Sequence, residues 1–245
     1  MDNNKKTSYE TIELQDMKLD FSHDEIFENL KNENCEDFIK IFSIINLEEI
    51  KTIEEAQVLF HHLTNHPTPI REAVALKLEE KYDYKFFNNE IKEQFLKSII
   101  DINPNVCRSI CTIVAKFDNL KNNLADEIIL KIKNLLSEIE QNDKELGGFY
   151  EDAQKIRKNH AKNKKLFSLY WYLECLSICI EEKNNSEVLE ILKETIKFND
   201  YTIREKTAKI LAKLKNKEQD LLQIAIADEN FYVKNQVYDK INFED

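Results

Sequence analysis

Apolar residues recur along most of this chain at intervals of three and four, the period of an α-helix that buries one face. Three stretches open on a helix-start signature, in which a hydroxyl and a carboxylate three positions on satisfy each other's orphan amides. They are Ser22-His23-Asp24-Glu25, Thr52-Ile53-Glu54-Glu55 and Thr202-Ile203-Arg204-Glu205. The pattern predicts a long amphipathic helix over about Asn122 to Glu140, and another from Ser186 to Phe198. A helix stop or hinge is expected at Gly147-Gly148, the only glycines.

The pattern is also self-similar. Four segments carry a turn, then a branched apolar anchor, a basic residue and helical apolar spacing. Aligned on Ile70, Val106, Ile203 and Val233, the position four residues later holds Val74, Ile110, Thr207 and Val237. Four beyond that stand Leu78, Val114, Leu211 and Ile241. Three positions before each anchor lies Pro67, Asn103, Asp200 or Asn230, residues suited to a turn or a helix cap. Arg71, Arg204 and Lys234 follow their anchors directly, while Arg108 is displaced by one. No clean copy of the pattern survives between Val106 and Ile203.

Composition narrows the class. Two glycines and three prolines in 245 residues leave almost none of the turn chemistry that sheets and phosphate loops require. All three prolines fall in the repeat turns, at helix starts where a missing amide costs nothing. The chain therefore reads as all-α.

A turn with Asp, Asn or Pro, then Val or Ile, then Arg or Lys, resembles the second helix of a HEAT repeat. The anchors lie 36 and 30 residues apart within the two halves. That is shorter than the usual ~40–47 of HEAT and armadillo units, and nearer the short bacterial HEAT-like repeats that include the phycobilisome-lyase group. The resemblance implies a right-handed α-solenoid of stacked helix pairs, with a ladder of Arg71, Arg108, Arg204 and Lys234 pairing with acids of adjacent repeats. The expected organisation is a disordered arm over residues 1–21, helical repeats over 22–146, and further repeats over 149–245. One continuous solenoid with a possible hinge at 147–148 accounts for all of it.

The net charge of −11 disfavours broad nucleic-acid binding, which draws its affinity from neutralising phosphates. Between Asp24 and Glu55 ten acids face three lysines, an acidic outer face on the first helices. The longest apolar run, Phe167 to Ile180, is too short to span a bilayer and is interrupted by Glu174. The polar first twenty residues hold no signal-peptide core, and five cysteines read as reduced thiols, so a cytoplasmic location is expected.

Candidate chemistry is sparse. Cys107/Cys111 and Cys175/Cys179 are i,i+4 pairs that could hold zinc or a cluster if brought together, but core packing is the plainer reading. His62 and His66 read as helix-end residues rather than metal ligands. Lys155, Arg157, Lys158, Lys162, Lys164 and Lys165 form a basic run without an acid, followed at once by Phe167, Tyr170, Trp171 and Tyr172. This is the candidate partner-binding surface, against the alternative of a solvated helix running into a buried aromatic one. No phosphate loop, zinc-protease or nucleophile-elbow motif is present, so no catalytic residue, metal or cofactor is expected. The expected function is a non-enzymatic scaffold that binds a protein partner on the second helices. The alternatives are a nucleic-acid binder or HEAT-like DNA glycosylase, or a lyase or chaperone subunit of the phycobilisome-lyase type.

Overall fold

The computed structural model describes residues 20–145, 152–180, 186–214 and 218–241. Among these there are twelve α-helices and no strand. The expected arm falls mainly on residues 1–19, and the expected hinge on Gly147-Gly148, all outside the described residues. The chain divides into two units, the first ending at Tyr82 and the second beginning at Asp83.

The first unit holds α1 (His23–Lys31), α2 (Asp37–Asn46), α3 (Ile53–Asn65) and α4 (Thr68–Lys81). The start of α1 is a full capping box. Ser22 Oγ accepts from the Glu25 amide, and the Glu25 carboxylate accepts from the Ser22 amide at 2.8 Å. At α3 the second box is only half formed. Thr52 accepts from the Glu55 amide, but the Glu55 side chain turns to the Lys51 amide at 2.6 Å and to His23 at 2.8 Å. Helix α1 packs on α2 and α3, and α4 on α2 and α3. Ile70, Val74 and Leu78 of α4 are fully buried in this packing.

The second unit opens with a 3-10 turn over Tyr84–Phe86 and continues through α5 (Asn89–Ser98), α6 (Pro104–Lys116), α7 (Asp118–Glu145) and α8 (Asp152–Cys179). It ends with α9 (Ser186–Thr195), α10 (Tyr201–Leu211), α11 (Gln219–Ala227) and α12 (Phe231–Ile241). The main packing pairs join helices one or two places apart in the chain. In particular α6 lies on α8, α8 on α10, and α10 on α12.

The four aligned segments are α4, α6, α10 and α12, and all four anchors are wholly buried. Asn103 and Asp200 cap their helices, each side chain accepting an amide two residues on. The third capping box, at Thr202, is a correction. Helix α10 begins two residues earlier, at Tyr201 rather than Ile203, because Asp200 Oδ1 takes both the Thr202 amide at 2.9 Å and the Thr202 hydroxyl at 2.7 Å. With its hydroxyl spent, Thr202 sits inside the first turn and caps nothing. The helix placed over Asn122 to Glu140 runs from Asp118 to Glu145, and the one placed over Ser186 to Phe198 stops at Thr195.

Candidate functional site

Helix α8 carries one stripe of residues, Asn163, Phe167, Tyr170, Trp171, Glu174 and Ile178, at the spacing of a single helical face. The stripe forms the middle of a groove of about 900 Å³. Arg108, Cys111, Thr112 and Ala115 of α6 make one wall, and Asp200, Thr202 and Lys206 at the start of α10 make the other. A volume in this range suits a small ligand or a few anchored side chains.

Three aromatic rings give the groove its character. Trp171 is nine-tenths buried, with Tyr170 edge-on at 5.3 Å and Phe167 at 6.3 Å between ring centres. Its indole Nε1–H is buried and meets no acceptor among the described residues. Tyr170 and Phe167 are partly exposed. The opposite face of α8 supplies ordinary core, where Leu169 and Leu173 are fully buried and the Tyr172 hydroxyl donates to the Leu96 carbonyl at 3.2 Å.

Beneath the aromatics lies a charge cluster. The Glu174 carboxylate takes Lys209 Nζ at 2.6 Å and Lys206 Nζ at 3.0 Å. Burial alone would raise the Glu174 carboxyl, but the two lysines outweigh it and hold it below the usual carboxylate range. Burial likewise works against the Lys206 ammonium, yet Glu174 and Tyr170 hold its pKa above the ordinary lysine value. Lys206 also stands 4.7 Å from the centre of the Tyr170 ring, a cation–π contact that fixes the tyrosine. Lys213 donates to the Ser177 carbonyl. The result is a carboxylate of α8 paired with two lysines of α10, locking the two helices together.

Arg108 is different. It is exposed at the groove wall, its guanidinium donates to Asn105 of its own helix at 2.9 Å, and no carboxylate lies within 4.0 Å among the described residues.

The basic run is divided by the structure. Lys155, Arg157 and Lys158 have side chains outside the described residues. Lys165 pairs with Glu138 of α7 at 3.0 Å. Lys162 borders a smaller cavity of about 320 Å³ on the other side of Leu166, and Lys164 is exposed.

The aligned basic residues do not share one set of contacts. Arg204 makes a two-point ion pair with Asp228 in the turn before α12 and donates to the Phe198 and Asn199 carbonyls. Arg71 donates to the His66 carbonyl at 2.6 Å and to Thr68. In α6 the position after the anchor is Cys107, whose thiol donates to the Asp101 carbonyl at 3.0 Å. Cys107 therefore makes the backward loop contact that Arg71 and Arg204 make in their own repeats, while Arg108, one residue on, turns to the groove. Lys234 is half-buried on α12 and adds its charge to the field at Asp228.

The two cysteine pairs meet. They lie on the packed helices α6 and α8, and neighbouring Cys111 and Cys179, together with burial, push the Cys175 thiol well up. Burial also raises Cys107 strongly. Among the described residues no group of three His, Cys, Asp or Glu side chains is placed to hold a metal. His62 is buried with its Nε2–H donating to the Leu30 carbonyl at 2.8 Å, and His66 caps the end of α3. No helix among the described residues is long and apolar enough to cross a membrane.

The chain matches no family model, no curated protein and no solved structure.

The groove was not anticipated as a unit. Its signal was present in the spacing of Phe167, Tyr170, Trp171, Glu174 and Ile178, one stripe that mixes aromatics with a carboxylate. A core stripe carries no such charge unless it is matched.

Proposed function

We propose that this protein is a non-catalytic binding scaffold, a right-handed α-solenoid of HEAT-like helix pairs that receives a protein partner on its second helices. The solenoid reading is supported by packing between helices one or two places apart, and by the row α6, α8, α10, α12 within the second unit. The observation that carries the binding reading is the groove itself, where three aromatic rings line a surface depression on that row. Partly exposed aromatics around a nearly buried tryptophan are the composition of an interface anchor site. Glu174 and Lys206 hold each other charged at its floor, which makes them a rigid support.

The test is to capture partners from the native host with the full chain, identify them by mass spectrometry, and reconstitute the complex. Ala115 is exposed on the groove wall, so Ala115→Phe fills the groove without disturbing the core. The reading expects at least a tenfold loss of affinity with an unchanged melting temperature. An Ala115→Phe protein that binds its reconstituted partner as tightly as the parent sinks it.

A further inference from the structure

The groove does not end at α10. The residue two before each anchor is Pro104 in α6, Tyr201 in α10 and Phe231 in α12. Pro104 lies in the groove, and Tyr201 adjoins Thr202, which does too. Tyr201 stacks on Tyr232 with ring centres 6.3 Å apart, and Phe231 meets Tyr232 edge-on at 5.8 Å. These three rings are 42%, 70% and 59% exposed for Tyr201, Phe231 and Tyr232 respectively. Large aromatic rings this exposed and this contiguous mark an interaction surface on a folded domain.

From this, and resting on the scaffold reading above, we infer that the row α6–α8–α10–α12 binds an extended acidic protein segment, its carboxylate on Arg108 and its apolar side chains running over Tyr170 and Trp171 towards Tyr201 and Tyr232. The charge balance that matters here is local to the groove. Glu174 is matched by Lys206 and Lys209, and Asp200 is spent on capping α10. Among the described residues Arg108 is a cation at the α6 end with no carboxylate within 4.0 Å, and a guanidinium is shaped for bidentate capture of one. Exposed Lys164 adds positive charge on α8, while the protein as a whole is at −11. An acidic segment is thus repelled by most of the surface and accepted here.

The geometry favours an extended segment. Neighbouring helices pack about 8–10 Å apart, so crossing from α6 to α12 covers roughly 27 Å. An extended chain advances ~3.3 Å per residue and covers that distance in about eight residues. The Trp171 Nε1–H, without an acceptor among the described residues, supplies a donor for a backbone carbonyl of such a segment once the partly exposed Phe167 ring swings aside. A nearly buried donor without an acceptor is costly in the free protein, and the ligand relieves that cost.

The experiment uses the full chain. A phage-displayed library of random peptides about twelve residues long is panned against it, and the best binder is measured by fluorescence anisotropy. Expected binders carry Asp or Glu ahead of Phe, Leu or Ile, and bind more weakly as salt rises. Arg108→Glu is expected to weaken binding at least tenfold, and the Tyr201→Ser/Tyr232→Ser double variant about as much. All of these side chains are exposed, so the fold survives, and an unchanged melting curve checks it. No binder from the library, or a binder indifferent to Arg108→Glu, overturns the proposal. So does oligo(dT) of matching length that binds within tenfold of the best peptide and is lost on Arg108→Glu, because the ligand is then a nucleic acid. A binder lost on Ala115→Phe but indifferent to Arg108→Glu and to the tyrosine pair leaves the scaffold reading standing while removing the acidic-segment assignment.

Discussion

Arg204 grips Asp228 at two points, Nε to Oδ2 at 2.6 Å and an Nη to Oδ1 at 3.1 Å, while its remaining donors close on the Phe198 and Asn199 carbonyls. One side chain on α10 thereby fastens the loop before its own helix to the turn before α12. Asp228 returns the favour locally, its Oδ1 also accepting the Asn230 amide at 2.8 Å.

Removing the guanidinium leaves two loop carbonyls and a mostly buried carboxylate without their donor. Arg204→Ala is expected to cost about 2–3 kcal/mol by urea unfolding. Asp228→Asn should cost less, because the amide oxygen still accepts. The Arg204 hydrogen bond outweighs burial, which acts to raise the Asp228 carboxyl, and holds it below its ordinary value. Its contribution is therefore present above the unfolded pKa of about 3.9 and fades as pH falls through the lower folded value. An acid limb of the stability curve identical in parent and Asp228→Asn would count against this.

His62 predicts a second pH dependence, of the first unit. Its Nε2–H is committed to the Leu30 carbonyl, and its buried Nδ1 meets no partner among the described residues. Burial, then the nearby His66, bring its pKa down from 6.5 to about 4. Between those values the unfolded chain takes up a proton that the folded one refuses. Stability should hold above pH 6.5 and fall as pH drops towards 4, by at most about 1.4 kcal/mol per pH unit. Urea midpoints at pH 7 and pH 5 should differ in the parent and much less in His62→Gln.

Ile110 and Leu211 test the repeat register. Ile110 stands four residues after the Val106 anchor and Leu211 eight after Ile203, and both are essentially unexposed. Truncation to Ala should cost roughly 2–5 kcal/mol at either position. Melting temperatures that do not move would show that the aligned positions are not core.

The basic run should split into two behaviours. Lys165→Glu sets a second carboxylate against Glu138 and should lower stability by about 1 kcal/mol or less, as the pair is partly exposed. Lys164→Glu should leave the melting temperature alone and change only the salt dependence of partner binding. Matching effects from the two variants would mean that the run acts as one surface.

Thiol reactivity checks the cysteine placement. Cys35 is half-exposed, whereas Cys107, Cys111, Cys175 and Cys179 are buried. In native protein Cys35 should be the fast-reacting thiol towards a disulfide reagent, the other four responding only after denaturation. Rapid reaction of Cys111 would mean that the groove opens along its α6 wall.

The turns explain what was legible in the chain. Pro67, Asn103, Asp200 and Asn230 mark the starts of α4, α6, α10 and α12 because a cap must be a particular residue type in a particular place. Helix α8 has no such mark near its core. It runs for 28 residues from Asp152, and Leu169 and Leu173 enter the packing far from its start, so the repeat disappears between Val106 and Ile203. Thr202 misled because two valid caps compete two residues apart, and Asp200 captures the threonine hydroxyl as well as its amide. The groove was hardest to read. Its walls come from α6 and α10, nearly a hundred residues apart in the chain, and only packing shows that Arg108 and Lys206 flank the same aromatic stripe.

Packing between helices one or two places apart has a kinetic consequence. Each new helix finds its partners among segments already made, so the loops to be closed are short and the entropy lost in closing them is small. Such low contact order belongs to fast folders. In a unit built this way, early helix pairs can settle while later ones are still being synthesised, and opening can begin at one end without dissolving the rest.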